Sequence, residues 1–232
     1  MELFKSAIGK QVGAGVKAYE AGESVEKAIR PDELRVAYSS AWTSTALLFA
    51  KETFNAVTSA RKDFTEQELK AWEKAVLDYL KKEGSTRIKL ITQTTRDWIN
   101  AIIEFGVEAG WGTDKVAREI RKRWTDIEDF RAERIARTEI IGASNLGSRE
   151  GALSTGLDLV AIWLSTDDKR TRRLSSTRRP RRGRGADHVR MNGERKEMND
   201  RYSNGLLFPG EPGGQADEVI NCRCTEIYEV RG

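Results

Sequence analysis

Apolar residues recur every three or four positions through most of the first 155 residues, which is the spacing of amphipathic helices. A helix is predicted from Pro31 to about Ala60, because a proline followed by acidic residues marks a helix N-terminus. Thr65-Glu66-Gln67-Glu68 fits a capping box for the next helix. Gly84 is predicted to end that helix, and another is predicted to begin near Ser85.

Further helices are predicted after Gly110-Trp111-Gly112. A short one runs from Thr113 to about Trp124, and the stretch from Asp126 to about Thr155 is one longer helix or a broken pair of helices. Glycines in and after the longer helix either loosen the chain or let another backbone approach closely: Gly142, Gly147, Gly151 and Gly156. Residues 1–22 are rich in glycine and are expected to form a poorly ordered terminus, with a loose helix or an arm that orders against a partner as the alternative. Tryptophans among the helices are expected to fill a core rather than to form a ligand platform: Trp42, Trp72, Trp98, Trp111 and Trp124.

The pattern changes after Gly156, where β-branched and aromatic residues predict a strand from Leu157 to Leu164. Asn192-Gly193 favours a tight turn, and the alternation from Cys224 to Val230 predicts a final strand. The predicted fold is therefore α+β. Residues 1–125 would form a helical docking or oligomerisation region, and residues 126–232 a small α+β domain with a short antiparallel sheet and long loops.

Composition supports a folded chain, because 38% of the 232 residues are apolar. The net charge is only +4, yet nine basic residues and no acidic ones lie between Lys169 and Arg184. No apolar run approaches the ~20 residues that cross a bilayer, so an intracellular protein without a membrane partner is expected. Two cysteines one residue apart exclude a disulfide framework.

The reactive side chains lie near the C-terminus. His188 is the single histidine, and Cys222 and Cys224 are the two cysteines. With Asp168 or Asp167 as a fourth ligand, they form a candidate tetrahedral zinc set. The alternative is that His188 caps a loop and the cysteines are small buried apolar residues.

Several charged residues are candidates either for structural ion pairs or for catalysis. Asp167 or Asp168 can form bidentate pairs with arginines that lock a strand to a helix. The arginines in question are Arg137, Arg170 and Arg223. Glu139 is predicted to be part of a structural ion pair or a helix cap, and its alternative role is that of a catalytic carboxylate.

Five short segments occur in one order along the second half of the chain: Ala136–Glu139, Trp163–Arg172, His188 with Asn192-Gly193, Leu207–Pro212 and Asn221–Thr225. In that order they resemble the phage head morphogenesis family, the minor capsid proteins similar to the F protein of phage Mu. The resemblance covers about residues 126 to 230. One departure is the arginine-rich insertion from Thr177 to Gly185, which separates His188 from the segment before it.

The resemblance implies a minor capsid protein of a tailed phage or prophage. Such a protein associates with the portal and other head proteins inside the assembling head, and some family members are linked to DNA packaging. It would lie in the capsid interior at the portal vertex, after assembly in the host cytoplasm. Arginines of the basic run would contact double-stranded DNA or the portal: Arg172, Arg173, Arg178, Arg179, Arg181, Arg182 and Arg184.

The sequence lacks a second histidine, a Ser/His/Asp set and a glycine-rich phosphate loop. It is therefore predicted not to be an enzyme. One alternative is a metal-dependent nuclease or hydrolase that uses His188, Glu139 and Asp168. Another is a free DNA-binding protein without sequence preference.

Overall fold

The computed structural model describes residues 1–59, 63–173 and 185–231. These residues form seven α-helices and three strands: α1 (Glu2–Glu20), α2 (Val25–Ala28), α3 (Asp32–Thr58), α4 (Glu66–Tyr79), α5 (Ser85–Glu108), α6 (Thr113–Leu153), β1 (Leu159–Leu164), β2 (Arg195–Glu197), α7 (Ala216–Val219) and β3 (Thr225–Val230). The predicted α+β fold is confirmed. Within these residues, no helix is both long enough and apolar enough to span a membrane.

The first twenty residues are helical, which corrects the expected poorly ordered terminus. Phe4, Ile8, Val12 and Val16 are all buried in α1. Their spacing of four places them on one face, so burial of that face outweighs the helix-weakening glycines. Gly15 lies on the packed side, where an added Cβ would come within 2.9 Å of the Ile29 side chain.

Helix α4 begins as predicted and continues where an end was predicted. The Thr65 side chain accepts a hydrogen bond from Glu68 N, and the Glu68 side chain accepts one from Thr65 N, so the capping box is confirmed. Gly84, however, does not end the helix. A π-helical turn at Leu80–Gly84 leads directly into α5, because Gly84 keeps right-handed helical angles of φ −67° and ψ −27°.

Helix α6 is one element of 41 residues, where at least two helices were predicted. Thr125 does not interrupt it, since its hydroxyl bonds back to the carbonyl of Arg121 within the helix. The glycines inside α6 do not loosen it. They allow close backbone approach: a Cβ added at Gly147 would lie 2.1 Å from Ala46 O, and one at Gly151 would lie 2.1 Å from Ala50 O.

The chain divides into two compact units at places other than the predicted boundary of 125/126. The first unit comprises residues 1–40 and 84–136, and the second comprises residues 41–83 and 137–232. Long helices cause the difference, since α3 and α6 each supply residues to both units. Local patterning cannot reveal that division, which depends on which helix faces pack together.

The three-stranded sheet lies in the second unit, with the order β2-β1-β3 and antiparallel pairing throughout. Trp163 of β1 lies opposite Glu226 of β3 and is fully buried. Around Trp163 packs a cluster that includes both cysteines: Met191, Tyr202, Leu206, Val219, Cys222 and Cys224. This small core positions the reactive side chains.

Candidate metal centre

His188, Cys222 and Cys224 meet in the core of the second unit. The ring nitrogen Nδ1 of His188 lies 3.5 Å from Cys222 Sγ and 3.4 Å from Cys224 Sγ. The candidate ligand atoms all lie within 4.8 Å of one another, and the three residues are 1%, 1% and 2% exposed. This group can bind a metal ion, as the sequence predicted for these three residues.

The chain brings the two cysteines to one side because neither lies in a strand. Strand β3 begins at Thr225, and the segment before it turns at Asn221, whose φ is +57°. The backbone N–H of Cys224 reaches back toward Cys222 Sγ at 3.5 Å. The side-to-side alternation of a strand therefore does not separate the two sulfurs.

Glu218 orients the histidine from the opposite ring nitrogen. Its Oε2 lies 2.8 Å from His188 Nε2 and accepts a second hydrogen bond, also 2.8 Å, from Asn204 Nδ2. When the ring is neutral, as it is in a metal ligand, a carboxylate in this position places its proton on Nε2 and leaves Nδ1 to face the sulfurs. Sequence reasoning missed Glu218, because an acidic residue at the start of the short helix α7 carries no signal that it meets a histidine 30 positions away.

His188, Cys222 and Cys224 shift one another's pKa values. Burial lowers the pKa of His188, but hydrogen bonds with Cys222 and Glu218 outweigh it and raise that pKa to about 9. The pKa of Cys222 is lowered well below its usual value, first by the hydrogen bond with Cys224 and then, against burial, by His188. The hydrogen bond with Cys222 raises the pKa of Cys224, and burial raises it further. A thiolate beside a histidine is the donor chemistry that soft and borderline metal ions prefer.

An aromatic ring packs against His188 and forms one side of the site. Trp163 packs edge-on against His188, with ring centroids 5.2 Å apart, and edge-on against Tyr202 at 5.0 Å. Low polarity around a charged group strengthens its interactions.

Asp168 does not join the metal-binding group, which corrects its predicted role as a ligand. Both of its carboxylate oxygens are taken by the guanidinium of Arg223, at 2.5 Å each. The hydrogen bonds from Arg223 lower the pKa of Asp168 and outweigh the opposing effect of desolvation. A bidentate arginine pair between these segments is what the alternative interpretation of Asp168 predicted. Arg170 Nε lies further away, at 3.9 Å from Asp168.

The other charged residues singled out in the sequence lie outside the metal-binding group. Asp167 pairs with Arg173 at 3.5 Å and has a φ of +47°. Glu139 is 2% exposed and accepts a hydrogen bond of 3.1 Å from Trp42 Nε1. Arg137 is half-buried on α6. Neither Arg137 nor Glu139 belongs to the metal-binding group.

Arg172, a predicted DNA or portal contact, has hydrogen-bond partners within the chain. Its guanidinium donates to the carbonyl oxygens of Glu218 and Ile220, at the end of α7. Arg173 remains exposed. The other predicted contact residues lie outside the described residues: Arg178, Arg179, Arg181, Arg182 and Arg184.

Fold and site together define an α+β protein with a buried histidine–cysteine group that can hold a metal ion. A curated protein from Enterococcus faecalis named NAD(+)--arginine ADP-ribosyltransferase EFV is 28% identical over 151 residues, which is 63% of this chain. The matched stretch is 27% of that protein, so the chain spans about a quarter of its relative's length. No family model and no solved structure matches the chain.

This similarity corrects the prediction that the chain is not an enzyme. That prediction rested on the lack of a complete catalytic set of known type. A related stretch nevertheless occurs in a protein named for a transferase activity. The lack of familiar catalytic motifs does not exclude a catalytic site built from other residues.

Proposed function

We propose that the chain is a minor capsid, or head morphogenesis, protein of a tailed phage or prophage. It binds the portal protein and other head proteins inside the assembling head, and it lies in the virion at the portal vertex. The observation that supports this most is that contacts between residues distant in sequence link four of the five segments that carry the family resemblance.

Contacts join four of these segments pairwise across long stretches of chain. Three such contacts are the hydrogen bond from Asn221 N to Thr138 Oγ1, the ion pair of Asp168 with Arg223, and the ring contact of Trp163 with His188. The remaining segment, Leu207–Pro212, packs on α6 just beyond the first segment, where Gly210 lies against Gly142. Asn145, between the first and second segments, donates to the carbonyls of Pro209 and Cys224. Motifs that share a structural core are what a family of variable sequence is expected to retain.

Co-expression with the portal protein of the same phage or prophage tests the proposal. The chain should co-purify with that portal protein and sediment with procapsids. It should not bind a portal protein from an unrelated phage under the same conditions. A chain that stays free of its own portal protein during assembly contradicts the proposed role.

The metal ion that best fits the site is zinc. Zn–N bonds of about 2.0–2.1 Å and Zn–S bonds of about 2.3 Å, at tetrahedral angles, place N and S about 3.6 Å apart. The two N···S separations here are 3.5 and 3.4 Å. His188, Cys222 and Cys224 would hold the ion, and Glu218 would fix the ring. Bound zinc would supply a cross-link between the His188 turn and the segment before β3.

Three protein donors leave one tetrahedral position for a water molecule or an outside ligand, an arrangement more typical of catalytic than of structural zinc. Elemental analysis of the purified chain should give one zinc per chain. The double variant Cys222→Ser, Cys224→Ser should give none. Asp168→Asn is the matched control and should keep its zinc, because Asp168 is bound to Arg223. Zinc retained by the cysteine variant would contradict the site.

Transfer of ADP-ribose from NAD⁺ to arginine is a second candidate function, favoured by the similarity to the Enterococcus faecalis transferase. Agmatine, a small guanidine, and NAD⁺ labelled in its adenosine half would be incubated with the full chain. Label on agmatine together with released nicotinamide would support the candidate, and Glu139→Gln would test the buried carboxylate on α6. If neither product forms, the relative's named activity belongs to the part of it that this chain does not match.

A further inference from the structure

Two cavities of about 300 and 280 Å³ lie one after the other between α5 and α6 of the first unit, and the proposed function does not use them. Together their linings form what we call the α5–α6 groove. The α5 wall presents Ile91, Thr94, Trp98, Ile102 and Phe105, and the α6 wall presents Glu119, Arg123, Ile127, Phe130 and Arg134. Each set repeats every three or four residues, so each is one stripe of its helix.

Large apolar side chains on this groove remain open to solvent. Phe105 is 57% exposed and Phe130 is 62% exposed. Trp98 and Trp111, which were expected in a core, line one of the cavities instead. From Glu119 to Arg134 the groove is about 22 Å long, at 1.5 Å per residue, which matches a helix of about four turns.

Donor groups in the groove point to an acidic partner. Trp98 Nε1 is buried without a hydrogen-bond acceptor in the described part of the chain. Arg123 and Arg131 form no ion pair there either, although Arg131 donates to Ile91 O and Thr95 Oγ1. Burial and the nearby charge of Arg134 lower the pKa of Arg131 to about 10, so a carboxylate beside it would relieve an unfavourable buried charge.

We propose that the α5–α6 groove binds an amphipathic helix of a partner protein, with large apolar residues facing the groove and glutamate or aspartate residues along its edge. Apolar anchors at helical spacing and complementary charge are the features of helix-in-groove recognition. The chain's own basic run between Lys169 and Arg184 has the wrong charge for this groove. The proposal concerns the first unit and does not rest on a role in head assembly.

A displayed library of helical peptides tests this without a known partner. Peptides of about 16 residues would carry apolar residues at every third or fourth position, with all other positions randomised, and would be selected on the full chain. Enriched peptides should carry an excess of acidic residues. Each would then be labelled with fluorescein, and its affinity would be measured by fluorescence anisotropy.

Variants locate the binding site. Arg123→Glu and Phe130→Ala should each weaken the selected peptides about five- to tenfold. Arg118→Glu is the matched control, because it reverses an exposed charge on α6 outside the groove lining, and it should leave affinity nearly unchanged. Circular dichroism of each variant confirms that it folds.

Several results would overturn the proposal. These are a selection that enriches nothing, a selection that enriches neutral or basic peptides, and binding that ignores both groove variants. So would a dimer of the purified chain, seen by light scattering, that Phe130→Ala converts to a monomer, since the groove would then be occupied by a second copy.

Discussion

Glu218 Oε2 lies 2.8 Å from His188 Nε2, while Nδ1 of the same ring faces both cysteine sulfurs. The carboxylate thus selects the tautomer that presents Nδ1 to a metal ion. Loss of such an orienting carboxylate typically costs 10- to 100-fold in metal affinity, so Glu218→Gln should weaken zinc binding by about that factor. Competition with a chromophoric chelator measures the change.

The control for this experiment is Glu229→Gln. Glu229 is paired with Arg195 on the exposed side of the sheet. Its replacement by glutamine therefore removes the same charge from the same unit without affecting His188. Its zinc affinity should match that of the unaltered chain. Equal affinities in all three proteins would show that Glu218 does not orient a ligand.

Removal of the metal should destabilise the second unit. A ligand that binds only the folded state adds about 4 kcal/mol of stability when its concentration is 1,000 times its dissociation constant. A strong chelator should therefore lower the Tm of the purified chain by several degrees, and added zinc should restore it where magnesium does not. The Cys222→Ser, Cys224→Ser variant should melt at one temperature with and without chelator.

The elements that sequence predicts best here are those set by neighbouring residues. The capping box of Thr65 and Glu68 needs only four consecutive residues, and the strand ending at Leu164 needs only its own β-branched run. The ends of helices were predicted less well. Gly84 can end a helix or continue it at little cost, and packing around it decides which.

Parts of the candidate site could be predicted because the reactive residue types are rare. One histidine and two cysteines leave few possible metal ligands, so His188, Cys222 and Cys224 were found. Carboxylates are common, so nothing in the sequence separates Glu218, which contacts the ring, from Asp168, which binds Arg223. That choice depends on three-dimensional distances alone.

Gly147→Ala should strongly destabilise the chain. The added methyl group would lie 2.1 Å from Ala46 O and 2.6 Å from Ala46 Cα, and both are backbone atoms that cannot move aside without separating α3 from α6. Overpacking typically costs about 1–3 kcal/mol and occasionally more, and the short distances to backbone atoms put this variant at the upper end. Urea unfolding of Gly147→Ala and of the unaltered chain measures the loss in free energy of unfolding.

Gly13→Ala is the control for Gly147→Ala. Gly13 lies in α1 with nothing within 4 Å of its added methyl group. Alanine there should stabilise the helix by up to about 1 kcal/mol, because it restricts the unfolded chain. A Gly147→Ala variant as stable as the unaltered chain would contradict the close helix contact.

Lys196 should make stability rise with pH above about 8. Its ammonium group is buried near the Tyr202 ring, donates to Asp200 O and lies 3.8 Å from Glu226. Burial first, and then the charge of Arg149, lower its pKa from 10.5 to about 8. Between those two values the unfolded chain binds more protons than the folded chain, so the free energy of unfolding increases with pH.

Lys196→Met removes this contribution. Denaturant unfolding of both proteins between pH 7.5 and 10.5, a range set by the two pKa values, gives the comparison. Stability of the unaltered chain relative to the variant should rise by up to about 3 kcal/mol across that range. Other groups that titrate there, such as His188, contribute to both proteins and cancel in the difference. A constant difference would mean that Lys196 keeps an ordinary pKa.

If the basic run contacts DNA, its arginines should set the salt dependence of binding. Each phosphate contact contributes about −0.9 to the slope of log K against log salt concentration on double-stranded DNA. Five arginines of the run would be replaced by glutamine: Arg178, Arg179, Arg181, Arg182 and Arg184. The slope should flatten by up to about 4.5, and affinity should fall equally for unrelated DNA sequences. The control replaces five exposed lysines on α4, the π-helical turn and α5, namely Lys70, Lys74, Lys81, Lys82 and Lys89, which lowers the net charge equally. An unchanged slope in the arginine variant would show that these arginines do not contact DNA. An equal flattening in the lysine variant would show that net charge rather than the run attracts DNA.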